Sequence, residues 1–221
     1  QLASGALKPG QLIPSERQLT TEFSVSIGTL RKAIDELVEN RILIRQQGKG
    51  TYVASHDRER LLFYFFHIVP QQGSKSYPLV EFVFFHKSTA DAEAAARLNI
   101  AIGTPTLHIR NKLSLLGAVV LVDDLTLDQA RFPGLNAAQF KERPNTIYNL
   151  YQEVFGVTVV RTEERLRAEA ASVEHAKLLK LKAGMPVLTI RRTAYDMRDE
   201  PVELRVSTVN TAAHEYFAEL L

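Results

Sequence analysis

The 221-residue chain contains no cysteine. That excludes disulfide frameworks, thiolate metal sites and cysteine nucleophiles, and it suits a reducing compartment, so a cytoplasmic protein is expected. Net charge is nearly absent too, formally +2, which excludes a strongly basic nucleic-acid coat protein but leaves room for a local basic patch. Long hydrophobic runs are lacking. The longest, Leu61 to Phe66, falls far short of the roughly 18 residues of a spanning helix, and no signal-peptide pattern is found, so no membrane partner is expected. What remains is a chain with 45% hydrophobic residues, an ordinary globular value, and enough length for two modest domains.

The stretch from Ile13 to Val53 is the most patterned. Ser15 and Gln18 have the spacing of a capping box and Pro14 precedes them, so a helix starts there and runs through Phe23, with Leu19 and Phe23 on its buried face. Ser24-Val25-Ser26 interrupts it. Ser26 with Thr29 reads as the next N-cap, and Leu30, Ala33, Ile34, Leu37 and Val38 form one apolar stripe. The charges of this second helix run against its macrodipole, with Arg31 and Lys32 early and Asp35, Glu36 and Glu39 late. An anion beside the N-terminal half would explain that order, as when a recognition helix enters the major groove; an ordinary solvated face is the alternative. Ile42-Leu43-Ile44 and Thr51-Tyr52-Val53 then read as two short strands joined by Arg45 to Gly50, a wing with one cation at its tip.

Pro14-Ser15-Glu16-Arg17, Val25-Ser26, Thr29-Leu30-Arg31-Lys32-Ala33 and Gly48-Lys49-Gly50-Thr51-Tyr52-Val53 together resemble the winged helix-turn-helix of the GntR superfamily of bacterial transcription regulators. The resemblance implies that Arg17, Ser26, Thr29 and Arg31 face DNA, with Gln47, Gly48 and Lys49 from the wing; Lys32 joins Arg17, Arg31 and Lys49 in a local basic patch compatible with binding DNA. Many members carry a basic residue where this chain has Ile27, which bears on base preference rather than on phosphate contacts. Relatives also place a helix ahead of the Lys8-Pro9-Gly10 turn, so the sequence looks clipped at its start.

The expected domains are a DNA-binding domain at 1–54, a polar linker at 55–60 and a second domain at 61–221. In the second, Leu61 to Val69 reads as a buried strand and Val80 to His86 as another. An internal repeat follows: Ala95 to Arg110 and Ala176 to Arg191 share A-x-x-L-x-[IL]-x-x-G-x-P-x-L-x-I-R at an offset of 81 positions, the separation of Gly103 from Gly184. Each copy predicts a helix ending near Leu98 or Leu179, a Gly-Pro turn, a strand, and a return strand at Ala118 to Leu127 or Pro201 to Val209. Two copies pair most simply into one antiparallel sheet with helices on one side, an α+β class. Between them lie the turn Phe132-Pro133-Gly134-Leu135 and a helix over Asn145 to Phe155 with Ile147, Leu150, Tyr151 and Val154 inward.

Copied hairpins around a helix, behind such a head, resemble the effector-sensing UTRA domain of the HutC branch, a chorismate-lyase-like fold. Members that sense sugar phosphates grip phosphate with an Arg-x-Arg pair, and those positions here are Asn111 and Leu113. Neither replaces a guanidinium, so a sugar-phosphate effector is disfavoured. The resemblance implies effector contacts from Asn111, Asp123, Thr146, Tyr148 and Glu203. Two acids without matching arginines favour a ligand with an amine, a ring N–H or several hydroxyls; the alternative is that Tyr148 is core and the acids pair with Arg205 or Arg192.

No catalytic residues, metal or cofactor are expected. The six histidines show no ligand spacing, and adjacent Asp123 and Asp124 point to opposite faces of a strand. The expected protein is a repressor, a homodimer on palindromic operator half-sites that answers to a small molecule. The alternative is a ligand-binding or degenerate lyase-like module that does not bind DNA.

Overall fold

The computed structural model describes residues 1–2, 6–40, 42–55 and 64–218. Nearly all of the expected linker, and the beginning of the strand expected from Leu61, lie outside the described residues.

The first domain comprises α1 (Glu16–Phe23), α2 (Ile27–Glu39), β1 (Leu43–Gln46) and β2 (Gly50–Val53). Ser15 and Gln18 close the capping box, and Ser24 ends α1 in the left-handed region. The Ser26 hydroxyl accepts from the Thr29 amide and starts α2. Leu19, Leu30, Ile34, Leu43 and Val53 form the core, with Leu37 and Val38 packed against it. Two residues of the expected stripe stay outside it. Phe23, the last residue of α1, is 51% exposed, and Ala33 is exposed; both line an apolar groove of about 400 Å³ that Leu2, Leu7 and Val25 also border. The wing is tighter than its sequence suggests. Arg45 and Gln46 belong to β1 and Gln46 pairs with Gly50, so only Gln47-Gly48-Lys49 turn.

The second domain runs β3 (Ile68–Pro70), β4 (Leu79–Thr89), α3 (Ala92–Leu98), β5 (Pro105–Leu115), β6 (Ala118–Asp128), α4 (Ala137–Glu142), α5 (Ile147–Phe155), β7 (Val159–Ala170), α6 (Val173–Leu179), β8 (Pro186–Asp196), β9 (Pro201–Val209) and β10 (His214–Tyr216). Six of these strands form one antiparallel sheet in the order β4-β5-β6-β9-β8-β7. The sequence repeat is thus a repeat of structure, two strand-helix-strand-strand units joined where β6 meets β9. Its helices are built alike: Asp91 and Ser172 cap the N-termini of α3 and α6, and Asn99 and Lys180 end them left-handed.

The helices α3 and α6 share one side of the sheet, packing with Leu204 and Val122. The interposed helices α4 and α5 cover the other side, so the sheet has helices on both faces rather than one. The larger core lies there, with Leu107, Ile109, Leu125 and Leu127 under Phe132, Phe140, Tyr148 and Tyr151. Two expectations fail in this region. Of the described part of the Leu61–Val69 run, residues 64–69, only Ile68 and Val69 are strand, paired with β10 in a separate small sheet, while Phe65 is buried within a helical turn. Val154 is 53% exposed; α5 buries Tyr148, Tyr151 and Gln152 instead and packs Phe155 against the core, the stripe that a 3.6-residue period draws from Tyr148.

Candidate functional site

The eight residues expected at DNA all lie on one domain, and all are exposed: Arg17, Ser26, Thr29, Arg31, Lys32, Gln47, Gly48 and Lys49. Gly48 has φ 73°, a conformation that suits glycine and brings Lys49 to the wing tip. The reversed charges of α2 find partners within the domain. The Arg31 guanidinium forks onto Glu16 of α1 at 2.9–3.1 Å, and its hydrogen bond holds the Glu16 carboxyl below the usual range. Late in the helix, Asp35 pairs with Arg45 of β1 at 2.5 Å. An anion beside Arg31 therefore already exists inside the chain. Among the described residues no ion pair engages Arg17, Lys32 or Lys49, which leaves these three as open cations.

In the second domain the period-two alternation of strands places Asn111, Asp123, Glu203, Arg205 and Ser207 on the sheet face under α5. Register brings them together: Asn111 lies opposite Asp123, and Asp123 opposite Ser207. Arg205 is the hub. Its Nη2 reaches Glu203 at 2.8 Å and its Nη1 reaches Asp123 at 3.3 Å. Tyr148 and Tyr151 donate to the two oxygens of Glu203 at 3.2 and 2.8 Å, and Ser207 donates to Asp123 at 2.5 Å. Thr146 is the N-cap of α5, accepting from the Asn149 amide at 3.0 Å; it fixes the helix that delivers both tyrosines.

Burial pushes the Asp123 carboxyl up against the pull of Arg205. It also pushes the Tyr148 phenol up to about 12, so both tyrosines stay protonated and donate. The two acids are thus not without an arginine. Arg205 is two residues from Glu203, hence on the same face, a signal that strand alternation carries in the sequence. Arg205 and Arg192 were named in the sequence only as alternative partners of the acids; Tyr151, Ser207 and Glu164, which pairs with buried Arg192, were missed as members of this region.

Asn111 differs from its neighbours, because it is fully buried and neither amide atom has a hydrogen-bond partner. Its Cα partner on β4 is Phe82, just before a bulge. Phe82 lines a cavity of about 320 Å³ together with Tyr77, Val80, Lys141, Arg143 and Asn145.

The opposite face gathers a second polar cluster. Asp124 accepts from Arg110 at 2.6 Å and lies 2.9 Å from His175 Nε2 and 3.2 Å from His108 Nε2, and His108 contacts His86 at 3.3 Å. Burial would raise the Asp124 carboxyl, but these donors together hold it well below the usual range. The histidines, scattered in sequence, thus converge on an acid; among the described residues no group of three or more such side chains is arranged to hold a metal. Asp123 and Asp124 do point to opposite faces.

The family of bacterial regulatory proteins named gntR matches residues 1–53, and the UTRA domain family matches residues 76–215, more than half of the chain. The chain belongs to the GntR regulators that carry a UTRA domain. A probable fructoselysine utilization operon transcriptional repressor of Escherichia coli is 31% identical over 92% of this chain and 83% of its own length. The histidine utilization repressor of Pseudomonas putida is 27% identical over 91% of this chain and 80% of its own. Among solved structures, the ligand-binding domain of a GntR-family regulator from Bordetella bronchiseptica shares 31% identity at a TM-score of 0.68, covering 72% of this chain and 99% of that one. PhnF from Mycobacterium smegmatis shares the fold across both domains, with a TM-score of 0.59 over 98% of this chain and 94% of that one. This GntR protein is accordingly a DNA-binding transcription regulator with an effector-type second domain, not an enzyme. No helix among its described residues is long and apolar enough to cross a membrane.

Proposed function

We propose that this GntR regulator is a cytoplasmic repressor that binds a palindromic operator as a homodimer and answers to a small metabolite held beneath α5. Arg17, Lys32 and Lys49 meet phosphates from the outset, Arg31 exchanges its exposed Glu16 partner for a phosphate, and Ser26, Thr29, Gln47 and Gly48 approach the groove. An exposed ion pair is screened by solvent and contributes little, so that exchange costs little. Asp123, Tyr148 and Glu203 form the polar floor of the effector site, Asn111 lies at its side, and Thr146 positions the lid helix.

The observation that carries this reading is the position of α5. Its Tyr148 and Tyr151 bind Glu203, while Gln152, one residue further, donates to the Ala54 carbonyl just beyond the wing strand at 3.0 Å. A ligand that competes for Tyr148 or Glu203 moves the helix that touches the DNA-binding domain. The fructoselysine relative favours a hydroxyl-rich amine as effector, and the acid-rich Asp123–Arg205–Glu203 floor, with one net negative charge when both acids are ionised, suits a cationic group.

The test is a thermal-shift screen of amino sugars, amino acids and sugar–amine adducts on the full chain, followed by operator binding with each hit. A ligand at about one hundred times its dissociation constant adds roughly 2.7 kcal/mol of stability. The reading predicts at least one hit that also changes operator affinity. Hits that leave operator affinity untouched would contradict it.

A further inference from the structure

The first turn of α2 presents two residues that the packing of the first domain does not explain. Ile27 opens the helix directly after the Ser26 cap and is 51% exposed. Phe23 and Val25 are exposed as well, but both border the apolar groove of that domain, whose lining among the described residues does not include Ile27. Gly28 follows, also exposed. A glycine within a helix is destabilising relative to alanine, and nothing nearby requires one here. An added Cβ would meet only the Ser26 hydroxyl oxygen, at 3.8 Å, an ordinary contact. The bare backbone at Gly28 therefore answers to something that approaches from outside the chain.

The polar groups around these two residues are engaged or charged. The Ser26 and Thr29 hydroxyls hydrogen-bond each other at 2.9 Å, and the Thr29 amide donates to the Ser26 oxygen. Arg31, four residues after Ile27 and so on the same side of the helix, carries the fork to Glu16. Lys32 stands in the same relation to Gly28 and is an exposed cation. An apolar knob and a bare stretch of backbone thus sit beside positive charge, the surroundings of a contact in the major groove between phosphates. In that groove every base pair offers hydrogen-bond donors and acceptors, but only thymine adds an apolar group, its C5-methyl. The Ile27 side chain has no polar atom with which to read anything else.

We infer that Ile27 selects thymine at one position of each operator half-site by packing on its methyl group, and that Gly28 lets the helix come close enough for that contact. The inference rests on the docking of α2 in the proposed function and adds a base preference to it. Arg31 and Lys32 hold phosphates whatever the sequence, whereas Ile27 distinguishes thymine from the bases that lack a methyl group.

In the experiment the full chain selects its preferred site from a randomised duplex library, and each thymine of that site is then replaced singly by deoxyuridine, which deletes the methyl group and nothing else. One thymine per half-site is expected at which the replacement weakens binding about fourfold, the effect of one buried methyl group. In Ile27→Ala the difference between thymine and deoxyuridine at that position should disappear. Gly28→Ala should leave the melting temperature unchanged or raised while weakening binding to selected and unrelated DNA alike. A library that yields no preferred site, a site with no such thymine, a methyl effect that persists in full in Ile27→Ala, or Gly28→Ala binding as tightly as wild type would each overturn the proposal. Arg31→Ala in the same series separates this inference from the reading beneath it. If Arg31→Ala weakens both DNAs while no thymine methyl matters, the base contact is lost and the docking of α2 stands. If neither Arg31→Ala nor Gly28→Ala alters DNA affinity, the docking itself fails.

Discussion

Glu203 is fully buried and satisfies three donors, Arg205, Tyr148 and Tyr151. Glu203→Gln keeps the shape but leaves Arg205 against Asp123 alone, and breaking a buried pair costs about 3–5 kcal/mol. Since Gln can still accept from Tyr151, the loss should fall at the lower end of that range, measured by urea unfolding, and the ligand response should vanish with it. An unchanged unfolding midpoint would mean that the cluster contributes nothing to the free protein. On the other face, Asp124 titrates below its unfolded value near 3.9. A depressed carboxylate stabilises the fold fully above that value and loses its contribution as pH falls below about 4. Wild-type stability should therefore fall more between pH 6 and the acid range than that of Asp124→Asn, and equal declines would contradict the assignment. Single residues were the least legible level of the sequence. Asp123 and Glu203 could be placed on one face by alternation, yet their shared partner Arg205 follows from the same rule only once strand register is known. The histidines around Asp124 come from β4, β5 and α6, which no spacing links.

At the scale of elements, α5 joins the two domains. Its N-cap Thr146, its tyrosines and Gln152 occupy one nine-residue helix and its cap. Gln152→Leu removes the bond to the Ala54 carbonyl, and a hydrogen bond of this kind contributes on the order of 1 kcal/mol, about a fivefold effect. Operator affinity without ligand should then change little, while the ratio of affinities with and without effector shrinks by about that factor; an unchanged ratio would remove α5 from the pathway. Elements with strong local chemistry were readable: the capping box at Ser15, the N-cap at Ser26, and the Gly-Pro turns of the repeat. The first strand of the first repeat was expected at Val80 to His86 and is β4, but its counterpart β7 was not expected. β4, LVEFVFFHKST, and β7, VVRTEERLRAEA, occupy equivalent edges with almost no shared residues, because an edge strand needs the backbone ladder on one side only and its side chains answer to different neighbours. The run from Leu61 misled for a related reason, since apolar density alone does not separate a strand from a buried turn.

For the whole molecule, the two-domain plan and the pairing of two repeats in one sheet were written in the sequence, whereas the placement of α4 and α5 on the second face was not, because nothing local says which side of a sheet a connecting helix takes. In the proposed function α2 docks its N-terminal half between phosphates, yet in the free protein Arg31 already holds Glu16. A surface fork of this kind is weak enough to open, and phosphate contact has a signature that no internal pair can imitate, the release of counterions. The most direct measurement is the affinity of the intact protein for operator and for unrelated DNA across a salt series, with wild type and Arg31→Ala compared. Arg31→Ala is expected to weaken binding to both DNAs, more than Ile27→Ala does, and to lower the slope of log affinity against log salt by about one unit. Affinity and slope both unchanged in Arg31→Ala would show that this helix does not enter the groove as described.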